Sequence, residues 1–314
     1  MDVAAAPQLA KPPAASRWGL RGDLTWRLFR AAALGCPWYL EKGLIFFWAG
    51  LIGLFAHTPR RALAGNLRAL GVKFPNFAAW KAFQEIGAMS VDSIRAQANP
   101  DVLQWEVTGR EYLEAAQQSG RPVIIWTAHM GNYDAAATFF AHRIGTKLHA
   151  VRKPEQNAQR QTLREQDHLQ QQSAHLVTLY NEGQEESLGV ELLRVLKEGQ
   201  WVALQADRSL PGLSTMSMEH EGKMWTLPRG PFFLPLVAQA VCLPVLVRRT
   251  GFRQYAVQFH PPLTPTATRD RSAAVQSLMR DWLSLLQSTI CAHPDQWFVF
   301  EPLVKVVSDI SHGP

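Results

Sequence analysis

The chain has 314 residues, of which 47% are hydrophobic, so it can fill the core of one large α/β domain or two small ones. This composition excludes a disordered chain. The formal net charge of +6 favours partners that carry phosphates or carboxylates, such as nucleic acid or an anionic membrane. The three cysteines, Cys36, Cys242 and Cys291, lie far apart and outside any C-x-x-C spacing. We therefore interpret them as reduced packing residues without a disulfide framework.

The N-terminal part of the chain divides into a tail and an apolar region. Residues 1–16 are rich in alanine and proline and lack the basic start and apolar core of a signal peptide, which predicts a flexible tail and a protein that stays on the cytoplasmic side. Within residues 17–100 we predict a helical, membrane-associating region. Its most apolar segment is GLIFFWAGLIGLFA, residues 43–56, followed by two amphipathic helices on either side of Pro75.

The apolar segment could be a buried core helix or a helix that associates with the membrane surface. Its 14 residues are fewer than the roughly 20 that a helix needs to cross a bilayer. A core helix that is apolar on all sides would have the same composition. The aromatic residues Trp38, Tyr39 and Trp48 and the basic TPRR that follows favour the headgroup zone. We favour a membrane association that is monotopic or through a single short N-terminal helix, which lies in the interface or dips into one leaflet.

From residue 101 to residue 314 strand and helix patterns alternate. We predict strands at about 123–127, 148–152, 176–180, 201–206, 243–249 and 255–260. Helices are predicted near 111–120, 133–143, 155–172, 186–199 and 272–292 and after Arg229, with a loop at 207–228. Such alternation is typical of βαβ units. The predicted fold class is therefore α/β, with a largely parallel sheet and flanking helices, in a domain at 101–314.

The segment VIIWTAHMGNYD, which starts at residue 123, carries the candidate catalytic residues. Reactive groups gather at the carboxyl ends of strands in α/β sheets, and His129 follows such an end. Gly131 permits a tight turn there, and Asn132 can cap a helix whose first turn holds Asp134. The spacing predicts a histidine general base whose tautomer is fixed by an adjacent carboxylate. A structural histidine is the alternative, because chance gives about one H-x-x-x-x-[DE] match in such a chain.

HMGNYD also resembles the H-G-N-W-E/D block of a known family. Further blocks that agree with the family in the same order are RRALAGNLRALGVKFP, VRKPEQN, LLRVLKEGQWVALQADRSLPG, TLPRGPFFLPLVAQAVCLPVLVRR and CAHPDQWFVF. Together they cover about residues 25–300. The sequence thus resembles the bacterial lipid A biosynthesis acyltransferases, which include lauroyl and myristoyl transferases, and the related phosphatidylinositol mannoside acyltransferases.

The resemblance implies a glycerol-phosphate-acyltransferase-like fold and an O-acyltransferase at the cytoplasmic face of the bacterial inner membrane. The donor would be an acyl thioester on acyl carrier protein or coenzyme A, and the acceptor a hydroxyl of a glycolipid or lysolipid of the lipid A precursor type. His129 would be the general base and Asp134 its partner. Neither a metal nor a redox cofactor is expected, because a direct transfer needs none.

Substrate-binding candidates surround this pair in the sequence. The oxyanion that forms at the thioester carbon during transfer needs hydrogen-bond donors. We predict that these are backbone N–H groups after Gly131 or the guanidinium of Arg208 or Arg229. Arginines also bind phosphate oxygens in pairs of hydrogen bonds. The full set of predicted substrate-binding residues is Gly131, Asn132, Arg152, Asn157, Arg164, Asp207, Arg208 and Arg229.

Departures from the family pattern leave the acceptor open. Tyr133 replaces the usual tryptophan, and ADRSL is closer to the mannoside acyltransferase version than to the lipid A version. A phosphatidylinositol mannoside or a lysophospholipid is therefore an alternative acceptor. A non-catalytic lipid-binding membrane protein is the alternative of another class. A nucleic-acid binder is disfavoured because the basic residues are spread along the chain, and a serine hydrolase because no G-x-S-x-G elbow is present.

Overall fold

The computed structural model describes residues 23–141, 144, 146–152, 176–180, 185–208, 214–264 and 270–310. Its helices are α1 (Asp23–Gly35), α2 (Trp38–Phe55), α3 (His57–Ala69), α4 (Pro75–Ala98), α5 (Arg110–Gln118), α6 (Tyr133–Ala141), α7 (Glu185–Lys197), α8 (Gly230–Ala238), α9 (Arg271–Ala292) and α10 (Val307–Ile310), with single 3₁₀ turns at Pro100–Val102 and Pro294–Gln296. The predicted tail at 1–16 and the predicted helix at 155–172 lie outside the described residues.

Ten strands form two sheets in the described part of the chain. They are β1 (Gln104–Thr108), β2 (Val123–Thr127), β3 (Leu148–Arg152), β4 (Leu176–Tyr180), β5 (Trp201–Gln205), β6 (Thr215–His220), β7 (Lys223–Pro228), β8 (Val241–Gly251), β9 (Gln254–Phe259) and β10 (Val304–Val306). The large sheet has the order β1-β9-β8-β2-β5-β3-β4. Five neighbouring strands, from β8 to β4, run parallel, and β9 and β1 run in the opposite direction.

The α/β fold class with a largely parallel sheet is confirmed. The centre of the sheet is β2, whose first four residues are buried because helices cover both faces. This burial explains why VIIW is a continuous apolar run rather than an alternation. Two large clusters of buried side chains, one on each side of the sheet, complete the core.

The small sheet corrects the loop predicted at 207–228. β6 and β7 form an antiparallel hairpin, and β10 pairs with β7. The hairpin turn is formed by Glu221 and Gly222, which both have positive φ angles, as tight hairpin turns require. The alternation of polar residues with Met216 and Met218 was the sequence signal for a strand, and the glycines and prolines around it were misleading. The short edge strand β1 was also not predicted.

Helix α2 has its small residues inside and its large apolar residues outside. Ala49, Gly50 and Gly53 are buried against α4, where a Cβ atom on Gly50 would lie 2.9 Å from Gln84. In contrast, Phe47 is 62% exposed, and Trp48 is 57% exposed. A core helix would bury those side chains, so the interpretation of this segment as a core helix is wrong. By length and composition alone, α2 qualifies as a candidate membrane span.

A buried charge cluster joins the N-terminal helices to the sheet. It consists of Glu41 of α2, Glu85, Asp92 and Arg95 of α4, and Arg249, Arg253 and Tyr255 of β8, β9 and their turn. Glu41 lies 2.7 Å from both Arg95 and Arg253. The Tyr255 hydroxyl donates to Asp92 at 2.6 Å. Burial raises the pKa of Asp92, against the opposing influence of Tyr255 and the two nearby arginines. The cluster fixes α2 and α4 to the sheet.

The division at residue 100 into a membrane-associating region and a catalytic domain stays a prediction. The change of secondary structure does occur there, between α4 and β1. However, Leu63 and Leu67 of α3 belong to the same apolar cluster as Ile124 and Trp126 of β2. Asn66 also binds the C-terminal segment, because its Oδ1 accepts from the Leu303 N–H at 2.8 Å. The helices at 57–98 therefore share the core of the sheet.

Candidate functional site

The site is built at the carboxyl ends of two adjacent parallel strands. β2 and β5 are paired so that their last residues, Thr127 and Gln205, lie side by side. His129 and Asp207 each follow two residues later and therefore meet. Nδ1 of His129 lies 2.7 Å from Oδ1 of Asp207, and the His129 backbone N–H donates to Oδ2 at 2.8 Å.

Asp207 is fully buried and strongly hydrogen-bonded. Besides the two His129 contacts, its Oδ2 accepts from Nε1 of Trp297 at 3.0 Å. Burial alone would raise its pKa, but electrostatic attraction to the His129 ring, together with hydrogen bonds from the His129 side chain and backbone and from Trp297, holds the pKa below its usual range. The carboxylate is thus charged at neutral pH and fixes both the tautomer and the orientation of the imidazole.

The turn after His129 requires glycine. Gly131 has a φ of +55°, in the left-handed region that other residues avoid. A Cβ atom there would lie 2.4 Å from the carbonyl oxygen of Val247 on β8, which is backbone and cannot move aside. The Gly131 N–H donates to the Gln296 carbonyl at 3.3 Å. Gly131 therefore positions the turn by packing it against β8, and a substrate contact for it stays a prediction.

We expect Gly131→Ala to destabilise the protein by at least about 2 kcal/mol and to lower activity, because it adds a left-handed strain of about 1–2 kcal/mol to a backbone clash. Urea denaturation in detergent measures the loss of stability. Gly65→Ala is the matched control, since a Cβ atom at this position of α3 meets nothing within 4 Å. Alanine there should raise helix stability by about 0.5–1 kcal/mol. Equal stability of the two variants would contradict this account.

Asn132 caps α6, as predicted, and also ties the turn to α4. Its Oδ1 accepts from the Ala135 N–H at 3.2 Å, and its Nδ2 donates to the Ser93 hydroxyl at 2.9 Å. Both ends of the amide are thus used for positioning. Its predicted role in substrate binding stays a prediction.

Asp134 lies in the first turn of α6, as the spacing predicted. The partner of His129 Nδ1 is however Asp207, a residue that we predicted only for substrate binding. The tautomer-fixing role expected of Asp134 is therefore corrected: Asp207 holds Nδ1. Tyr133 packs edge-on against the imidazole, with ring centroids 5.7 Å apart. The catalytic role of Asp134 itself stays a prediction.

The predicted arginines have different surroundings. Arg208, next to Asp207, forms an ion pair with Glu301 at 3.2 Å. The Arg229 guanidinium stacks 4.4 Å from the Phe233 ring at the start of α8. Neither contact tests the predicted oxyanion or substrate roles. Arg152 ends β3, at the same edge of the sheet as His129, whereas Asn157 and Arg164 lie outside the described residues.

Trp297 and Ser93 are two site residues that the sequence analysis did not identify. Trp297 lies in the H-P-x-Q-W block that carried part of the resemblance, and this block was the available signal. Ser93 lies within an amphipathic helix and offered no signal. Trp126, just before the site, belongs to the core, since it is fully buried and packs edge-on against Phe232 and Trp282.

This arrangement can carry out general base catalysis. Because Nδ1 of His129 is held by a charged Asp207, the proton of the neutral imidazole is on Nδ1, and Nε2 presents a lone pair. The N-terminus of α6 starts four residues after His129 and brings the positive end of a helix dipole beside it. A base next to a positive potential suits a reaction in which a hydroxyl attacks a carbonyl and an oxyanion develops.

Comparisons with known proteins identify the family. A family model described as bacterial lipid A biosynthesis acyltransferase matches residues 76–306. The phosphatidylinositol mannoside acyltransferases of two Mycobacterium tuberculosis strains, CDC 1551 and H37Rv, are each 27% identical over 209 residues, which is 66% of this chain and 61% of theirs. The crystal structure of the 1-acyl-sn-glycerophosphate acyltransferase PlsC from Thermotoga maritima is similar with a TM-score of 0.40 and 12% identity, over 86% of this chain and 97% of that chain. Because the family model matches most of the chain, the chain belongs to the bacterial lipid A biosynthesis acyltransferase family.

Proposed function

We propose that the protein transfers a fatty acyl chain from a thioester donor to a hydroxyl group of a membrane lipid. The observation that carries this proposal is the His129–Asp207 pair at the ends of β2 and β5, with Nε2 of His129 left for substrate. Family membership agrees with the same chemistry. Acyl carrier protein and coenzyme A both supply such a thioester, and both remain candidate donors.

The reaction has two proton transfers through one nitrogen. Nε2 of His129 takes the acceptor hydroxyl proton while the oxygen attacks the thioester carbon, and Asp207 stabilises the imidazolium that forms. The carbonyl electrons move to the oxygen, where N–H groups at the start of α6 stabilise the negative charge. The carbonyl then re-forms, the carbon–sulfur bond breaks, and the thiolate takes the proton from Nε2. The products are an ester and a free thiol.

The acceptor is proposed as a glycolipid, with lipid A precursors as the first candidate. Phosphatidylinositol mannosides are the second, because two matched relatives are named for them and because ADRSL, which contains Asp207 and Arg208, is closer to that version. A lysophospholipid is the third. All three present a hydroxyl at the membrane surface, so the mechanism is the same for each.

The exposed face of α2 supports attachment of the protein to one leaflet of a membrane. We propose that this is the cytoplasmic leaflet of the inner membrane. The large apolar side chains of α2 point away from the protein. α2 packs along α4, from Gly53 against Phe83 to Glu41 against Arg95, and α4 itself carries buried charges and contacts the sheet. If α2 crossed the bilayer, the buried charges of α4 would have to enter the membrane with it, at a cost of several kcal/mol each. An in-plane helix avoids this cost.

His129→Ala tests the proposed function. We expect it to reduce acyl transfer at least about 100-fold, which is the usual contribution of a general base. The assay uses labelled acyl carrier protein and acyl coenzyme A with three acceptors: lipid A precursor, mannosylated phosphatidylinositol and lysophospholipid. His57→Ala, at an exposed histidine of α3, is the control and should keep wild-type activity. Transfer that survives His129→Ala would refute the mechanism, and a wild type without product on any acceptor would favour a non-catalytic lipid-binding protein.

A further inference from the structure

A cavity of about 430 Å³ lies where the ends of three N-terminal helices meet. It is lined by Leu54 at the end of α2, Arg60 and Arg61 in α3, and Asn76, Phe77 and Trp80 at the start of α4. The distance along α4 from Phe77 to Ser93, which contacts the site, is about 24 Å at 1.5 Å per residue. The cavity is therefore separate from the His129 site.

The polar part of the cavity is positively charged. It contains two guanidinium groups and no acidic side chain. Arg60 donates one hydrogen bond from Nη1 to the Gly53 carbonyl at 3.1 Å, which fixes its side chain beside the end of α2. Asn76 is the second residue of α4, a helix of 24 residues whose N-terminus has no side-chain cap, so its dipole adds to the positive potential. An anion, and a phosphate above all, is the complementary ligand.

The remaining walls are apolar and continue into the exposed face of α2. Leu54 and Trp80 both line the cavity, and the Trp80 indole is fixed by its hydrogen bond to the Gly50 carbonyl at 2.9 Å. Phe77, which is 60% exposed, and Phe55, which is 73% exposed, lie at the same end of the molecule. A ligand with both a phosphate and methylene groups fits such walls better than a free phosphate does, because the apolar surface is then removed from water.

We propose that this cavity binds the phosphate group of an anionic glycerophospholipid as an accessory, non-catalytic membrane site. Arg60 and Arg61 contact the phosphate oxygens, and the first methylenes of an acyl chain lie against Leu54, Phe77 and Trp80. The proposal rests on the membrane attachment proposed above. Its consequence is that the protein binds anionic membranes in one orientation, with the end of α2 at headgroup level.

Three variants that each lower the net charge by one test the cavity. Arg61→Gln removes a guanidinium, and Asn76→Asp places a carboxylate in the cavity at a helix position where an acidic residue favours folding. Arg68→Gln is the control on the same helix, about 10 Å further along, which is about one Debye length away. Flotation measures binding to phosphatidylcholine vesicles with and without phosphatidylglycerol.

We expect the wild type to prefer the anionic vesicles. Arg61→Gln and Asn76→Asp should each weaken binding to them by about fivefold, which corresponds to about 1 kcal/mol per basic group at the surface, and Arg68→Gln should weaken it by less than twofold. Equal losses for all three variants would overturn the proposal in favour of diffuse surface charge. Soluble dihexanoyl phosphatidylglycerol should compete with the vesicles, and equally good competition by inorganic phosphate would overturn the assignment to a lipid.

Failure of this proposal differs from failure of the proposed function. A wild type that binds neither type of vesicle removes the membrane attachment, and the accessory site with it. A wild type that binds neutral vesicles and transfers acyl chains, but has no preference for phosphatidylglycerol, refutes the accessory site alone. Activity on detergent-dispersed acceptor should be unchanged in Arg61→Gln and Asn76→Asp.

Discussion

Asp207→Asn is expected to lower kcat for acyl transfer by roughly 100- to 10,000-fold while the fold is retained, in line with the removal of the orienting carboxylate from other histidine-based catalysts. Asparagine has the same shape as aspartate. Its Oδ1 can still accept from the His129 backbone N–H and from Nε1 of Trp297, which both reach Oδ2 in the native site.

The loss arises from the tautomer. With Oδ1 of the amide turned toward those two donors, the amide Nδ2 faces His129 Nδ1, which lies 2.7 Å from the native carboxylate. Two donors cannot share that position, so the neutral imidazole must carry its proton on Nε2 and loses its lone pair there. The imidazolium formed in the reaction also loses its counter-charge.

Asp134→Asn is the matched comparison. Both variants exchange one carboxylate for an amide near His129, so their ratio tells which carboxylate orients the imidazole. We expect the smaller effect at Asp134, because the structure places Asp207 on Nδ1. A large loss in Asp134→Asn together with a mild one in Asp207→Asn would restore the assignment made from the H-x-x-x-x-D spacing.

The difference in unfolding free energy between wild type and Asp207→Asn should depend on pH. Because the folded-state pKa of Asp207 is lower than that of the unfolded chain, the ionised carboxylate stabilises the fold above pH 3.8, and this contribution is lost as the pH falls through the folded-state pKa. The variant lacks this titration. Its deficit in unfolding free energy relative to wild type should therefore be larger at pH 7 than at pH 3, as urea denaturation at both values would show.

His129 and Asp207 had equally clear signals in the sequence, but nothing in the sequence indicated that they meet. VIIWTAH and WVALQAD each show a buried strand, then an alanine, then a polar residue. The carboxyl end of each strand was predictable from this pattern. That β2 and β5 are neighbours, although β3 and β4 lie between them in the chain, depends on sheet order, which a single sequence does not contain. Local spacing therefore favoured Asp134 over Asp207.

The orientation of α2 shows a similar limit to prediction from a single sequence. The sequence distinguished an apolar segment from its surroundings, and the positions of Trp48 and the basic residues favoured a membrane face. Which side packs on the protein is decided by small residues that fit α4: Ala49 faces Gly87, and Gly53 faces Phe83. Such a fit is visible only when both helices are known, because glycine and alanine in an apolar run have no directional signal of their own.

No pattern in the sequence indicated the buried charge cluster. Its members are far apart in the chain, from Glu41 to Tyr255. Each of them, taken alone, is a residue type that is common on a protein surface. They are brought together because the N-terminal helices pack on β8 and β9. The Tyr255 hydroxyl donates to Asp92, and Ser93, the next residue, accepts from Nδ2 of Asn132, so the cluster is linked through α4 to the turn that carries His129.

Glu41→Ala should therefore be the most destabilising change, with a loss of about 3–5 kcal/mol in unfolding free energy, the usual cost of removing one partner from a buried ion pair. Glu41 is 2% exposed and is shared by Arg95 and Arg253 at 2.7 Å each, so alanine removes this counter-charge from two largely buried guanidinium groups. Urea denaturation in detergent measures the effect. Activity should fall as well, through the links from the cluster to Asn132.

Arg194→Ala provides the control for Glu41→Ala. It breaks the ion pair between Arg194 and Glu198, which has the same 2.7 Å separation but is exposed at the C-terminal end of α7. Such pairs contribute only about 0.3–0.5 kcal/mol, because water screens both charges. The two variants thus compare equal geometry at unequal burial. If Glu41→Ala lost no more stability than Arg194→Ala, burial would not be what makes the cluster important, and α2 would have to be held on α4 by its small-residue contacts alone.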